Sequence, residues 1–469
     1  MRIVVWIFAA MTPLVAAFLA SDAAPGPRII ALLAMGFPLG IWVALRRPLW
    51  IYCAYAFSLA SVPFGVLPSS PLPLVLLLGV SIGATAVLQL PSGHSRPFTS
   101  MEWWVLGLVV TSVLSLAVTF STSYDLTEFS KWLIATSTLF ALLRLQPDRL
   151  DLVGRWYVFG AVGASLFALA MLLFDRAGNM LSLLSFLGYG TAGGTNLRYV
   201  VGEGEMTVRL TGTYVDPNAG GLFLFVGVLL ALALFRGLWQ VVFTGIVLLA
   251  MTLTLSRSAL LSIGVAFLIF LAVQNMRFGG KLRMVGFAAI VGAVLLAIPA
   301  IQERILGSFG SNDVGSSARA DALRDYPKHM DGNWLFGLGW GRIEFRDGSV
   351  GMAVNHVANA PLLSVYRGGI IVGLFFCAVL IYGLVLSYRG LRRSEARHGF
   401  IGAGFIGFTL VALQLDFPVI TIPSVAALFA FFLANLPTSD NYLTHPVAIP
   451  VTERDELPRS IRRTREVLT

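Results

Sequence analysis

Charge is what this chain has least of: Asp, Glu, Lys and Arg together make up 12% of 469 residues, while 57% are hydrophobic. A soluble domain carries about 25% charged residues, so a fold in water is excluded. Cysteine is almost missing as well. Cys53 and Cys377 both lie inside apolar runs and read as small buried hydrophobes, which leaves no disulfide framework. No Walker loop, dinucleotide fingerprint or Ser-His-Asp order occurs, so the energy for any reaction has to arrive with the substrate. Internal repeats of about 20–50 residues are also missing. The net charge of +9 comes from arginines clustered beside apolar runs. That is a pattern of membrane topology, and no nucleic-acid partner is expected.

What the chain does have is apolar runs, near 3–20, 28–45, 49–66, 71–90, 102–121, 129–146, 155–174, 217–235, 238–254, 257–274, 283–301, 360–388, 399–415 and 418–436. Each is long enough to cross about 30 Å of hydrocarbon as a helix, and none alternates as a barrel strand does. The expected fold class is all-α: a polytopic integral membrane protein with about 12–14 transmembrane helices and two longer loops, one partly helical. The first twenty residues resemble a signal peptide in pattern but are taken as an uncleaved first span.

Orientation follows from the short connections. One alternate set holds Arg46, Arg47, Arg96, Arg144, Arg149, Arg155, Arg236, Arg277, Lys281, Arg283, Arg389, Arg392, Arg393 and Arg397, whereas the opposite set holds Arg28, Lys131 and Arg257. The positive-inside rule makes the first set cytoplasmic, with both termini. The chain then divides into spans up to 174, an outer loop 175–216, central spans 217–301, an outer loop 302–359, C-terminal spans 360–436 and a polar tail 437–469 expected to be disordered.

The two outer loops hold the polar candidates. The first closes with RLTGTYVDPNAGG (209–221), where Asp216 is an N-cap residue and Pro217 takes the first helical position. The second carries SSARADALRDYPKHM (316–330), expected to form a short surface helix, then turns through FGLGWG (336–341) and ends near His356. Three spans run inward from this side, starting near 217, 257 and 360, each preceded by a polar cluster: Arg209 to Asn218, Ser256-Arg257-Ser258, and His356 to Asn359. A helix amino terminus offers unpaired N–H groups and about half a positive charge, and arginine adds a bidentate fork, so such starts suit a phosphate or pyrophosphate. The plainer reading is that Arg257 snorkels to the interface and Arg209 decorates a loop. His356 has the chemistry to take a proton from a sugar hydroxyl, with a structural interfacial role as its alternative and His329 as a competitor. Asp321 and Asp325 stand four apart on one helical face, a spacing more typical of a solvated ion-pair face than of an acid/base pair. Metal ligation is not expected, because no second ligand stands at the right spacing from His356.

Together these stretches resemble the bacterial O-antigen ligase and polysaccharide polymerase superfamily, over roughly residues 120–436. RLTGTYVDPNAGG is similar to that family's arginine, glycine, Asp/Asn-Pro-Asn entry to a span. LTLSRSALLSIGVAFLIF (253–270) is similar to its Ser-Arg-Ser/Gly helix start, SSARADALRDYPKHMDGNWLFGLGWGRIEF (316–345) to its loop arginine and Gly-x-Gly turn, and HVANAPLLSVYRGGIIVG to its closing His, Asn, Leu and Gly-Ile pattern. The chain departs from the pattern at Ala358, where many relatives carry a second histidine, and at Pro361 and Arg367. The resemblance implies an inverting glycosyl transfer, without metal or other cofactor, on the periplasmic face of the inner membrane. The implied donor is an undecaprenyl-pyrophosphate-linked glycan, and the implied acceptor is lipid A-core or a second lipid-linked glycan. In that chemistry Arg209 and Arg257 hold the pyrophosphate and His356 handles the acceptor hydroxyl, with Arg319, Asn218, Asn359 and Arg342 as further substrate contacts. A flippase or transporter of lipid-linked glycans is the competing expectation. Transporters usually place ionisable groups in mid-span, whereas here they gather at one face.

Overall fold

The structure, a computed structural model, describes residues 43, 46–67, 70, 72–89, 97–175, 179–190, 199–201, 206–297, 302, 323–342, 357, 359–393, 395–415, 419–420 and 422–436. The first expected span, nearly all of the second, and the tail lie outside them.

Twelve helices follow the apolar runs: α1 Pro48–Ser61, α2 Leu74–Gln89, α3 Ser100–Thr119, α4 Ser123–Leu143, α5 Pro147–Phe174, α6 Pro217–Leu234, α7 Gly237–Leu253, α8 Arg257–Val273, α9 Phe278–Leu296, α10 Ala360–Leu391, α11 Ala396–Gly407 and α12 Pro423–Ala434. Proline opens α1, α5, α6 and α12, where its missing N–H costs nothing and its fixed φ suits the first turn. Four of the helices, α3, α5, α6 and α10, are long and apolar enough to cross a membrane, and α2, α7, α8, α11 and α12 are shorter apolar helices.

The core is centred on α6, 83% of whose apolar stretch is buried, against 33% for α3. It packs against α5, α7, α8 and α11. Small residues permit the close approaches: a Cβ on Gly160 of α5 would lie 2.4 Å from the Phe57 carbonyl oxygen of α1, and one on Gly402 of α11 would lie 2.6 Å from that of Ser387 in α10.

Hydrogen bonds between connections sort the bundle into two ends. At one end Thr213 Oγ1 donates to Ser61 O at 2.6 Å, Tyr214 Oη to Ala60 O at 2.8 Å, Val66 N to Leu187 O at 2.8 Å, and Ser424 Oγ to Pro63 O. At the other, Arg397 pairs with Asp151, and Gln274 Nε2 donates to Arg393 O at 2.8 Å. This second end carries the arginine-rich connections. The partition agrees with the alternation of loops read from the sequence.

Three details depart from the sequence reading. The described residues are consistent with the expected all-α class, with one addition that the sequence reading did not contain, a short antiparallel ribbon in the first long loop, β1 Tyr199–Val201 with β2 Met206–Val208. The last expected spans are less regular: α11 passes through a π-helical turn, Phe408–Ala412, into a short helix at Leu413–Leu415. Finally, α10 is broken at Gly369, with φ 83° and ψ 176°. In the second long loop, residues 323–329 are helical, within the stretch expected to form a surface helix.

Candidate functional site

The polar starts of α6 and α8 come together. Asp216 caps α6, its Oδ1 accepting from the backbone N–H of Asn218 at 2.7 Å and of Ala219 at 3.2 Å. Ser256 caps α8 by accepting from Ala259 N, and its hydroxyl lies 3.1 Å from that of Ser258. The second residue pair of α6's first turn, Gly220-Gly221, makes the approach possible. A Cβ on Gly221 would fall 2.8 Å from Ser256 Cβ and 2.9 Å from Ala259 Cβ.

Arg209 closes the arrangement. It is 9% exposed; its Nε donates to Thr254 O at 2.9 Å and its Nη2 to Asn218 Oδ1 at 2.7 Å. Leu210 N also donates to Leu253 O at 3.0 Å, so the segment after β2 is fastened along the end of α7. The turn it grips is strained: Leu255 sits at φ 52°, an uncommon conformation for a branched-chain residue, immediately before the Ser256 cap. Arg257 is the first residue of α8, half-buried beside this cluster. Both arginines and two helix amino termini therefore share one small region, in which two of the Arg209 donors go to neutral oxygens. A small cleft, lined by Arg209, Thr211, Gly212, Ala168 and Met171 of α5, and Asp175 just after that helix, opens against Arg209.

The third helix start joins through a different route. Asn359 caps α10, accepting from Leu362 N at 3.0 Å, and its Nδ2 donates to Gln414 Oε1 at 2.5 Å. Gln414 follows the π-helical turn, and the chain there packs on α8: a Cβ on Gly407 would lie 2.5 Å from Ser262 O. Arg342 is exposed at the end of the 333–342 turn. His356 and Arg319 lie outside the described residues. Of the competitors, His329 is exposed, while Asp325 pairs with Lys328 at 2.9 Å; that hydrogen bond and the ammonium charge hold its carboxyl below the usual range. Asp325 thus behaves as a solvated ion-pair partner. Asp321 lies outside the described residues. Among the described residues no group of three His, Cys, Asp or Glu is arranged to hold a metal ion.

Sequence reasoning missed Thr254, whose carbonyl fixes Arg209, and Gln414, which ties Asn359 to the bundle. Neither carries a signal beyond polarity near a span end. It also missed the break in α10, which the Gly368-Gly369 pair inside a helical pattern announces. Scans of this chain against protein-family models and against curated proteins each return no match.

Proposed function

We propose that this protein is a polytopic inner-membrane glycosyltransferase that moves a glycan from an undecaprenyl-pyrophosphate carrier to an acceptor hydroxyl on the periplasmic face. The reading rests on the resemblance of its polar motifs to the O-antigen ligase and polymerase superfamily. The observation that carries it furthest is the juxtaposition of Arg209, Asn218, Ser256 and Arg257 at two helix starts. Such a cluster offers the guanidinium donors and positive charge of two arginines to a pyrophosphate, in the ground state and as negative charge grows on the leaving group.

In this scheme Arg209 and Arg257 grip the leaving pyrophosphate, while His356, in the segment leading to Asn359, orients or deprotonates the acceptor hydroxyl. Arg319, Asn218, Asn359 and Arg342 bind the two substrates. Both termini lie in the cytoplasm under the positive-inside rule. A transporter reading draws on one feature, the broken α10, since discontinuous helices often line transport sites. Here the carbonyls of Tyr366 and Arg367 at the break accept hydrogen bonds from Leu338 and Gly339 of the neighbouring loop, which favours an anchoring role for the break. The glycan phenotype of a deletion strain tests the proposal. Loss of attached polymer with free lipid-linked polymer retained marks a ligase, and single-repeat capping marks a polymerase. Unaltered surface glycan contradicts both.

A further inference from the structure

The loop 333–342 is tied to three helices that contribute nothing to the arginine cluster. At the break in α10, Leu338 N donates to Tyr366 O at 2.8 Å, Gly339 N to Arg367 O at 3.2 Å, and Ile370 N to Trp334 O at 2.8 Å. Ser115 Oγ of α3 donates to Phe336 O at 2.8 Å, and the buried Arg367 guanidinium donates to Trp340 O. Trp340, 2% exposed, packs against the rings of both Phe129 and Trp132 of α4, at 5.0 and 4.7 Å between centroids. Backbone that leaves a helix at this depth is tolerated only where protein supplies the hydrogen bonds, and here it does.

The last tie is Asp125. Its Oδ2 accepts from Ser121 N and Oγ and Thr122 N, at 3.0, 2.9 and 2.8 Å, while its Oδ1 accepts from Gly341 N at 2.7 Å. One buried carboxylate thus serves two masters: it organises the start of α4 and it grips the residue before Arg342. Gly341 is fitted to that grip, since a Cβ there would lie 2.5 Å from Asp125 Oδ1 although its backbone avoids the left-handed region. The same loop packs Leu338 against a separate small core of Tyr326, Met330, Val357, Leu363 and Tyr366, so it also braces the outer segment of α10 that begins at Asn359.

We propose that Asp125 is a positioning residue: through Gly341 it fixes the loop that presents Arg342 and braces Asn359 toward the acceptor. This rests on the transferase reading, but its structural half is testable apart from activity. In a background with Cys53→Ser and Cys377→Ser, the pair Ser121→Cys and Arg342→Cys is oxidised in membranes, with and without Gly341→Ala. Gly341→Ala pushes the loop off the carboxylate while leaving the start of α4 intact, which Asp125→Ala would not. In parallel, Gly341→Ala alone is assayed for transfer from a polyprenyl-pyrophosphate glycan. The expected result is a cross-link that forms readily and falls about tenfold with Gly341→Ala. The turnover of Gly341→Ala falls about ten- to a hundredfold while the donor KM holds within about twofold, the cost of a small misplacement. An unchanged cross-link overturns the positioning role. A weakened cross-link with undiminished turnover separates the loop from catalysis and also overturns it. If the unaltered protein transfers nothing from any lipid-linked donor, the transferase reading fails and the catalytic half of this proposal with it.

Discussion

The guanidinium of Arg209 donates to the carbonyl oxygen of Thr254 at 2.9 Å, across 45 residues of sequence. Through that contact the end of the first long loop holds the strained turn that starts α8, and the arginine next to the cap, Arg257, is set by the same turn. This arrangement predicts that the two arginines act as a coupled pair. Arg209→Lys should impair transfer about ten- to a hundredfold, because an ammonium cannot reach Thr254 O and Asn218 Oδ1 as the fork does and a lost charged hydrogen bond is worth about 1.5–3 kcal/mol. Double-variant kinetics of Arg209→Lys with Arg257→Lys should be markedly non-additive. Additive losses would show two independent residues.

Gly221 gives a prediction about stability alone. Gly221→Ala forces a methyl group against Ser256 Cβ and Ala259 Cβ, and overpacking of this kind costs about 1–3 kcal/mol. Thermal unfolding in detergent should show a lower midpoint for Gly221→Ala and no lowering for Gly245→Ala, where a Cβ would meet nothing and alanine suits the helix at least as well as glycine.

How much of this was legible beforehand differs between the fold and the site. The apolar runs located α1 to α12, because an apolar run of this length is legible from length and hydrophobicity alone. The capped start at Asp216 was legible for a local reason: a cap is decided by neighbours in sequence. Contacts such as Arg209 to Thr254 and Asp125 to Gly341, 216 residues apart, were not, since nothing in either segment names its partner. The start of α4 lies six residues before the expected 129, because Asp125 and Glu128 interrupt the apolar run there. Asp125 instead closes a capping box with Thr122 at the helix start, and Glu128 pairs with Lys131 at 2.8 Å one turn on.

Acid should reveal Asp125. Burial pushes its carboxyl up, but the hydrogen bonds from Thr122, Ser121 and Gly341 outweigh that and hold it at about 2. In the unfolded chain it titrates near about 3.9, so its stabilising contribution is complete above that pH and disappears as pH falls through about 2. Thermal midpoints of the native protein should drop between about pH 4 and pH 2 more steeply than those of Asp125→Asn, which has no proton to gain. Parallel curves would show that the carboxylate is not held ionised.

Orientation can be read with thiol reagents. Cysteines at Tyr124 and Asn333, both exposed at the end that holds the arginine cluster, should react with a membrane-impermeant maleimide in intact spheroplasts, whereas one at Asp148 should react only after lysis. Labelling of Asp148→Cys alone in intact cells would turn the bundle over.

His356→Gln separates proton transfer from positioning, since glutamine keeps polarity but takes up no proton near neutral pH. A catalytic base is worth about 10²- to 10⁴-fold, so both His356→Gln and His356→Ala should nearly abolish turnover with donor binding retained, and His329→Ala should do far less.

The most direct measurement reconstitutes the purified protein in lipid vesicles with a synthetic polyprenyl-pyrophosphate oligosaccharide and a lipid-linked acceptor, with neither nucleotide nor added metal. The account predicts a glycosylated acceptor and release of polyprenyl pyrophosphate in equal amounts, with inverted anomeric configuration, and loss of both in Arg257→Ala. Movement of intact donor between leaflets without any new glycosidic bond would contradict it.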